Sequence, residues 1–294
     1  MSEDDLLRRL RSRLGPASLI GDDAAILSLP GEVAVTMDSQ ISGVHFIPDL
    51  DPAIVARRLL AVNLSDLAAM GAEPGHAFLA LSAPPDFDHD RFFDAFTEAC
   101  RSWNVTLAGG DLARCDRLVA TLTLIGTKGG RWLRRSDAKP GHDLWLGGTV
   151  GESAAGRLLI ARGMDANDPR VRRHLMPVPQ IELGRWLSRQ SEGAAMDVSD
   201  GVAIDLHRLC RESGVGAVID AELLPLPDCK DLSVDPFELA LAGGEDYVLL
   251  FTLPPGIQPP EGRRIGKITE EKVEWIREGK RSDLPASGWD HLKT

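Results

Sequence analysis

The sequence predicts a two-domain protein of mixed α and β structure, and three observations support this prediction. Apolar residues recur about every 3.6 positions in several long segments, and shorter apolar runs with the composition of strands alternate with them. The chain has 294 residues, which is close to the combined length of two average domains. A charged stretch that contains Pro140 and Gly141 interrupts the pattern near mid-chain. We therefore expect domains at residues 1–138 and 139–294.

The first domain is expected to contain two helices and four strands. The apolar spacing predicts the first helix at residues 53–70, with Asp51 as its N-cap and Gly71 after its last apolar residue. The second helix is predicted at residues 91–103, where several aromatic residues share one face. The strands are predicted at residues 33–37, 77–81, 105–108 and 118–125.

The second domain repeats the alternation of strands and helices. Its helices are predicted at residues 152–161, 180–189 and 202–212. Its strands are predicted at residues 144–146, 217–220, 247–252 and 264–268.

Composition argues against several partners and locations. Acidic residues exceed basic residues by 11, so neither a nucleic acid nor an anionic membrane is expected as the main partner. The N-terminus lacks an apolar signal segment, and no stretch approaches the roughly 18 apolar residues of a membrane span, so we expect a cytoplasmic protein. The four cysteines are far apart and form no CxxC pair, which favours reduced, mostly buried thiols over zinc ligands or disulfides.

Several acidic residues occur where surface carboxylates are not expected. They follow or end apolar runs and are flanked by small residues, and they are Asp22, Asp23, Asp38, Asp66, Asp111, Asp197 and Asp200. Asp66 shares a face of its predicted helix with Asn63, Val62 and Leu59, and this face is largely apolar. A carboxylate held there needs a cation or a cluster of hydrogen-bond donors.

The short motifs around these acids contain no lysine or arginine. Ion pairs with basic residues elsewhere in the fold are one explanation for any single acid. For five motifs of the same style, a shared metal site is the better explanation. Oxygen ligands without histidine or cysteine indicate Mg²⁺ or Mn²⁺ rather than zinc.

Two glycine pairs are candidates for phosphate binding. At Gly109-Gly110 and Gly243-Gly244 the backbone N–H groups can approach a phosphate closely, and a tight turn is the alternative for both pairs. The sequence has neither a P-loop motif nor a strand followed by G-x-G-x-x-G. Any nucleotide would therefore be bound through metals and acids.

The longer motifs resemble those of the thiamine-monophosphate kinases, a family within the aminoimidazole ribonucleotide synthetase superfamily. The resemblance rests on IGDDA (20–24), Asp38, GVHF (43–46), AVNLSDLAAMGA (61–72), GGD (109–111), Arg135-Ser136, MDVSDG (196–201), LAGGEDY (241–247) and GWDH (288–291). It covers nearly the whole chain, and AVNLSDLAAMGA is its most specific segment.

The resemblance implies transfer of the γ-phosphoryl group of ATP to thiamine monophosphate, with several Mg²⁺ ions. It also implies the aminoimidazole ribonucleotide synthetase-like fold and a homodimer. The N-terminal domain would bind metal and ATP and would join its partner through a shared β-barrel. The C-terminal α/β domain would complete the site for ATP and thiamine phosphate. The need for a monovalent cation stays open.

The same resemblance assigns site residues. The metal ligands would be Asp23, Thr36, Asp38, Asp66, Asp111, Asp197 and Asp200. The residues at ATP would be Gly110, Asp111, Arg135, Ser199 and Trp103, and those at thiamine phosphate would be His45, Glu245 and Trp289. Met37 departs from the family, in which a threonine or serine is common. Because a thioether is a poor ligand for Mg²⁺, any metal contact there would come from the backbone.

The implied chemistry needs no general base, because the attacking phosphate is already largely ionised at neutral pH. Arg135 would help to neutralise the transferred group. Two alternatives stay open: another ATP-dependent enzyme of the superfamily that activates a carbonyl oxygen, and a non-catalytic protein that binds Mg²⁺ and nucleotide. The GVHF, GGEDY and GWDH segments favour the kinase over the other enzyme.

Overall fold

The computed structural model describes residues 3–15, 18–20 and 24–289 of the chain. Contacts divide the chain into two compact units, one formed by Met1–Leu67 and Glu73–Lys128 and the other by Ala68–Ala72 and Gly129–Thr294. Residues 129–138, which we expected in the first domain, are thus grouped by their contacts with the second unit. Both units combine helices with a sheet, which confirms the predicted mixed α and β class.

The first unit contains one four-stranded sheet and its helices. In chain order the elements are α1 (Glu3–Leu14), β1 (Val33–Ile41), α2 (Pro52–Ala69), β2 (Ala72–Ala83), α3 (His89–Ser102), β3 (Thr106–Arg114) and β4 (Val119–Lys128). The sheet has the order β1-β4-β2-β3, in which β1 is antiparallel to β4 and β2 is parallel to β3.

Capping side chains explain where the two predicted helices begin. The Asp51 carboxylate accepts a hydrogen bond from the Ala53 backbone N–H at 2.9 Å, so Asp51 caps α2 as expected. Asp88 caps α3 in the same way. The aromatic face of α3 is buried in the core and consists of Phe92, Phe93 and Phe96.

Helix α1 is not among the predicted elements. Leu6, Leu10 and Leu14 recur every four residues along one face of this helix, and Leu6 and Leu10 are buried. Ion pairs attach it to α3, since Arg13 lies 2.7 Å from Asp90 and 2.5 Å from Asp94. The four-residue spacing of its leucines was a helical signal that the sequence prediction did not use.

All four strands of the first unit are longer than predicted, and the extensions of β1 and β3 include motif residues. β1 extends beyond its predicted end to Ile41, because its pairing with β4 continues without interruption. β3 continues through Asp111 to Arg114 alongside β2. Asp38 and Asp111 therefore lie inside strands, whereas the sequence placed them at strand ends. The Gly109-Gly110 pair also lies inside β3, so a tight turn is wrong for it.

The second unit contains a seven-stranded sheet. Its elements are a 3-10 turn (Arg135–Asp137), β5 (Asp143–Leu146), α4 (Glu152–Ala161), α5 (Pro169–Leu175), α6 (Ile181–Ser188), β6 (Ala195–Asp197), α7 (Val202–Ser213), β7 (Gly216–Asp220), a 3-10 turn (Ala221–Leu223), α8 (Pro236–Ala242), β8 (Leu249–Leu253), β9 (Arg263–Thr269), β10 (Val273–Arg277) and β11 (Lys280–Asp283). The sheet has the order β11-β10-β7-β9-β5-β8-β6.

The predicted segments of this unit all appear, and α4 has the predicted bounds. β8 begins at Leu249, two residues later than expected, because Tyr247 has a left-handed φ of +52° that a strand does not allow. The unpredicted elements α5, β6, α8, β10 and β11 have three to seven residues each. Such short elements show too little periodicity to be recognised.

The core of the second unit lies on both faces of β5. Leu144 and Leu146 are fully buried in a cluster that includes Leu206 of α7. On the other face of the strand, Trp145 stacks on Phe251 with ring centroids 6.4 Å apart.

The four cysteines are free thiols, and Cys100, Cys210 and Cys229 are buried, as predicted. Burial raises the pKa of Cys100 and of Cys210 to about 12, which keeps these thiols protonated. In the part of the chain that the structure describes, no helix is both long and apolar enough to cross a membrane.

We predict that Gly184→Ala destabilises the chain. Gly184 lies in α6, and a Cβ added there would lie 2.1 Å from the Ala68 carbonyl oxygen. Alanine normally favours a helix over glycine by about 1 kcal/mol, but we expect the clash to lower the free energy of unfolding by about 1–3 kcal/mol. Urea denaturation measures the change, with Glu182→Ala on the exposed side of α6 as the control. Unchanged stability of Gly184→Ala would contradict the close contact.

Candidate active site

Polar groups of β1 and α2 meet in the first unit. The Thr36 hydroxyl donates a hydrogen bond to the Asp66 carboxylate. The Asn63 side-chain oxygen accepts from the Asp38 backbone N–H at 3.1 Å, and its amide group donates to the Leu59 carbonyl at 2.9 Å. Because Asn63 is fully buried, it fixes β1 against α2 at this point. The structure thus places three predicted metal ligands on adjoining stretches of β1 and α2.

Met37 points away from these groups. Successive side chains of a strand alternate between its two faces, so Met37 lies on the face opposite to Thr36 and Asp38. Its side chain is 63% exposed, and that of Val35 on the same face is 60% exposed. The thioether is therefore not directed at the predicted ligands, and only backbone atoms of Met37 face them.

Gly110 and Asp111 lie within β3, next to β2. A Cβ added at Gly110 would lie 1.9 Å from the Leu79 carbonyl oxygen, so the close approach of the two strands requires glycine at this position. Asp111 pairs with Ala80 in the ladder, and its side chain is exposed. Strand packing alone thus accounts for Gly110, and phosphate contact is not needed to explain it.

His45 closes the turn that follows β1. Its Nδ1 accepts a hydrogen bond from the Ile41 backbone N–H at 3.1 Å, and the His45 backbone N–H donates to the Ile41 carbonyl at 2.9 Å. A neutral imidazole that accepts at Nδ1 carries its proton on Nε2. Nε2 is therefore a hydrogen-bond donor, which suits a phosphate oxygen.

Trp103 and Arg135 both lie at the ends of helical segments. Trp103 ends α3, where its backbone N–H donates to the Ala99 carbonyl at 3.2 Å, and its side chain is half-buried. Arg135 begins the first 3-10 turn of the second unit, and its side chain is exposed. Its carbonyl accepts a hydrogen bond from the Ser213 hydroxyl, which ties this turn to α7.

Three motif segments of the second unit pack against one another. The Glu245 backbone N–H donates to the Ser199 carbonyl at 2.7 Å, and the Trp289 backbone N–H donates to the Asp200 carbonyl at 2.9 Å. Asp197, at the end of β6, is 4% exposed and lies two residues before Ser199. Residues predicted for metal, for ATP and for thiamine phosphate are thus carried by adjoining backbone segments.

Asp205 and Arg208 of α7 determine the shape of the loop that carries Asp200. The Asp205 carboxylate is fully buried and accepts hydrogen bonds from the N–H groups of Ser199 at 3.1 Å and Asp200 at 3.0 Å. Burial raises the pKa of Asp205. Arg208 Nη1 donates to Asp205 at 2.7 Å and also to the Asp200 carboxylate. Asp200 therefore forms an ion pair with a basic residue outside its motif. Such an ion pair is one of the two explanations that the sequence left open for each motif acid.

Asp246 is a second fully buried carboxylate of this region. It is 0% exposed and accepts hydrogen bonds from the N–H groups of Gly151 at 2.6 Å and Ser153 at 3.1 Å, at the N-terminus of α4. These contacts satisfy N–H groups that a helix start leaves unpaired. Loss of water nevertheless raises the pKa of Asp246 to about 7.

Sequence reasoning missed a set of polar residues that support the site, namely Asn63, Ser153, His174, Asp205 and Arg208. Asp205 had a recognisable signal, because an acid in the first turn of a helix commonly reaches back to the N–H groups before it. His174 had none, since it lies in the short helix α5 far from the motif residues in sequence. Its Nδ1 is 3.0 Å from the Ser153 hydroxyl and 3.6 Å from a Glu245 carboxylate oxygen.

The donor groups suit a hard cation, although they do not form a complete cage. Within residues 3–15, 18–20 and 24–289, no group of three or more His, Cys, Asp or Glu side chains is placed to hold a metal ion. Mg²⁺ usually takes one or two carboxylates and completes its coordination with water and phosphate oxygens. Asp66 with the Thr36 hydroxyl fits that requirement. Asp22, Asp23 and His291 lie outside the described residues.

Two family models match the chain. The N-terminal domain of AIR synthase related protein matches residues 21–128, and the C-terminal domain of AIR synthase related protein matches residues 139–257.

Curated and solved relatives extend the similarity over nearly the whole chain. Thiamine-monophosphate kinase of Escherichia coli K12 is 40% identical and covers 96% of this chain and 94% of its own. The crystal structure of thiamine-monophosphate kinase from Stenotrophomonas maltophilia K279a has a TM-score of 0.83 at 33% identity, covering 96% of this chain and 98% of that one. AaThiL, from Aquifex aeolicus, complexed with AMPPCP and TMP has a TM-score of 0.82 at 30% identity, covering 99% and 97%.

We predict that Asp246 makes stability depend on pH. Its pKa is about 7 in the folded state against an ordinary value of 3.8, so the unfolded state loses this proton first as the pH rises. The contribution of Asp246 to stability is therefore complete below about pH 4 and is lost progressively up to about pH 7. Urea denaturation at pH 5 and pH 8 should show the native chain losing about 2–3 kcal/mol relative to Asp246→Asn. A difference between the two proteins that stays constant with pH would show that the pKa is not raised.

Proposed function

Because the chain belongs to the thiamine-monophosphate kinase family, among the AIR synthase related proteins, we propose that it phosphorylates thiamine monophosphate. An oxygen of the substrate phosphate attacks the γ-phosphorus of ATP, the bond to the β-phosphate oxygen breaks, and thiamine diphosphate and ADP are the products. Family membership identifies the chain as a kinase. The substrates are proposed from the names of its relatives and from the ligands of AaThiL.

The observation that carries the proposal is the meeting of motif segments in the second unit. Ser199, proposed for ATP, and Glu245, proposed for thiamine monophosphate, are joined by a backbone hydrogen bond of 2.7 Å. Asp200, proposed for Mg²⁺, is joined in the same way to Trp289. Candidates for all three ligands therefore lie in one packed region, which supports a reaction between the two substrates.

We propose that oxygen ligands in both units hold Mg²⁺. The proposed ligands are Asp23, Thr36, Asp38, Asp66 and Asp111 in the first unit, and Asp197 and Asp200 in the second unit. When bound, Mg²⁺ supplies positive charge that offsets the repulsion between the two phosphate anions. The Thr36 hydroxyl orients the Asp66 carboxylate, and Asn63 holds the backbone at Asp38. Gly110, Arg135 and Trp103 are proposed for ATP. The Arg135 side chain is exposed, and its guanidinium group is suited to binding a phosphate.

The thiamine part of the substrate carries a positive charge and its phosphate carries negative charge, so the two parts need different binding groups. A carboxylate repels a phosphate, so Glu245 would contact a donor group or the positively charged thiazolium ring. The Trp289 side chain is 50% exposed and would stack on thiazolium, an interaction of about 0.5–2 kcal/mol. His45 would donate from Nε2 to the substrate phosphate.

No residue is required as a general base. The second pKa of a phosphate monoester is about 6, so the attacking oxygen is ionised at neutral pH. The chain's task is to bind, orient and neutralise the two anions, which agrees with a site made of carboxylates, backbone N–H groups and single basic residues.

We also propose that the chain forms a homodimer through the outer face of β1. The apolar side chains of Val35 and Met37 are exposed there, on a strand at the edge of its sheet. Monomeric proteins seldom expose neighbouring apolar side chains on a sheet edge, because such edges associate. A partner copy packed on this face would leave the opposite face, which carries Thr36 and Asp38, accessible to metal.

We predict that the chain makes thiamine diphosphate from ATP and thiamine monophosphate only when Mg²⁺ is present, as measured by chromatography of the products. Asp66→Asn should lower kcat at least about 100-fold, because Asn retains the hydrogen bond from Thr36 but loses the charge that attracts Mg²⁺. The control is Glu98→Gln, an exposed residue of the same unit that pairs with Arg57.

Two outcomes would contradict this function. ATP turnover with a purine intermediate and none with thiamine monophosphate would favour the other superfamily enzyme. Binding of Mg²⁺ and ATP without any phosphorylated product would favour a non-catalytic protein.

We predict that Val35→Asp converts a dimer into a monomer, because it introduces a charge into the proposed apolar interface. Sedimentation velocity at micromolar concentration measures the change. Val178→Asp is the matched control, since Val178 is 56% exposed in the second unit, close to the 60% of Val35. A native chain that sediments as a monomer, or a dimer that survives Val35→Asp, would contradict this interface.

A further inference from the structure

A buried histidine lies beside the carboxylate of Glu245. His174 of α5 is 5% exposed, and its Nδ1 is 3.0 Å from the Ser153 hydroxyl and 3.6 Å from Glu245 Oε2. Ser153 is fully buried in the first turn of α4. The imidazole thus connects the buried start of α4 with a carboxylate that is only partly buried.

The backbone around Glu245 is held independently of this contact. Glu245 and Tyr247 have φ values of +61° and +52°, which are uncommon for residues other than glycine. Backbone hydrogen bonds to Ser199 and Val198 maintain them, and the intervening Asp246 is anchored to α4. The Glu245 side chain has three rotatable bonds, so these backbone contacts do not by themselves set the orientation of its carboxylate.

Helix α5 is attached to the same segment at the next residue. Arg173 Nη2 donates to the Asp246 carbonyl at 3.0 Å, so α5 cannot shift away from Glu245 without breaking this bond. His174 is thereby presented to Glu245 from a fixed position. Nδ1 is within hydrogen-bond distance of the Ser153 hydroxyl, and the Glu245 carboxylate oxygen at 3.6 Å makes a polar contact with the same nitrogen.

We propose that His174 is a positioning residue that holds the Glu245 carboxylate in the orientation that binds thiamine monophosphate. The inference rests on the proposed function, because Glu245 is important here as a substrate contact. Restricting the side chain before the substrate arrives reduces the rotamer entropy lost on binding. His174 acts through Glu245 and touches neither substrate, so its removal should affect thiamine monophosphate and not ATP.

The experiment compares His174→Ala, His174→Asn, Glu245→Ala and the double variant His174→Ala/Glu245→Ala. The amide nitrogen of Asn occupies nearly the place of Nδ1, so His174→Asn can restore the contact. His142→Ala is the matched control, because His142 is also 5% exposed in this unit but contacts Thr252 and Glu192. Steady-state kinetics give KM for each substrate, calorimetry gives Kd for thiamine monophosphate, and thermal denaturation gives Tm.

We expect His174→Ala to raise KM and Kd for thiamine monophosphate about tenfold and to leave KM for ATP within about twofold. His174→Asn should recover most of the affinity, and the double variant should be no weaker than Glu245→Ala. His142→Ala should lower Tm without this difference between substrates.

Three results would overturn the inference. The first is that His174→Ala changes KM for both substrates equally. The second is that it lowers Tm but leaves Kd for thiamine monophosphate unchanged. The third is that the His174→Ala and Glu245→Ala effects on Kd multiply independently in the double variant. If the native chain neither binds nor phosphorylates thiamine monophosphate, the proposed function is wrong and this inference with it. Native activity with unchanged affinity in His174→Ala overturns the positioning role alone.

Discussion

The site of the second unit depends on one buried interaction, the carboxylate of Asp246 at the N-terminus of α4. Its oxygens satisfy two N–H groups of the helix start, where the helix dipole also favours negative charge. Complete burial works against that charge and raises the pKa of Asp246. The contact persists because the backbone N–H groups are fixed by the helix itself. Glu245 and Tyr247, one on each side, adopt left-handed conformations that such an anchor can sustain.

In the first unit, the period of a β-strand separates the residues proposed for metal from those proposed for the dimer interface. Thr36 and Asp38 lie on one face of β1, next to Asp66 and Asn63, whereas Val35 and Met37 lie exposed on the other face. A shift of the strand by one residue would exchange the two sets, so the register with β4 decides where the carboxylates lie. The methionine that departs from the family pattern thereby belongs to the apolar face and not to the metal ligands. Its thioether fits an interface better than a magnesium site.

Prediction from sequence succeeded where local rules decide the structure and failed where partners are distant. The bounds of α4 and the cap of α2 followed from periodicity and capping residues within one or two turns. Helix α1 is an exception, because the four-residue spacing of Leu6, Leu10 and Leu14 was a local signal that the prediction did not use. The close approach of Gly110 to the carbonyl of a neighbouring strand is invisible before the sheet is assembled, while its proposed contact with ATP stays a prediction. The motif acids were recognised individually, whereas Arg208, which neutralises Asp200, carries no motif of its own.

Asp200 shows why a site residue cannot be understood from its motif alone. Its backbone N–H donates to Asp205, its carbonyl accepts from Trp289, and its carboxylate pairs with Arg208. Three separate contacts therefore fix one residue before any ligand is bound, which is the preorganisation that a binding site needs. The same contacts couple the residue proposed for Mg²⁺ to the segment that carries Trp289. Because the Trp289 contact uses the backbone of Asp200, replacing the Asp200 side chain removes the charge and the pair with Arg208 but leaves the anchor of the C-terminal segment in place. A loss of metal affinity at Asp200 is thus separable from a loss of the stacking residue proposed for the substrate.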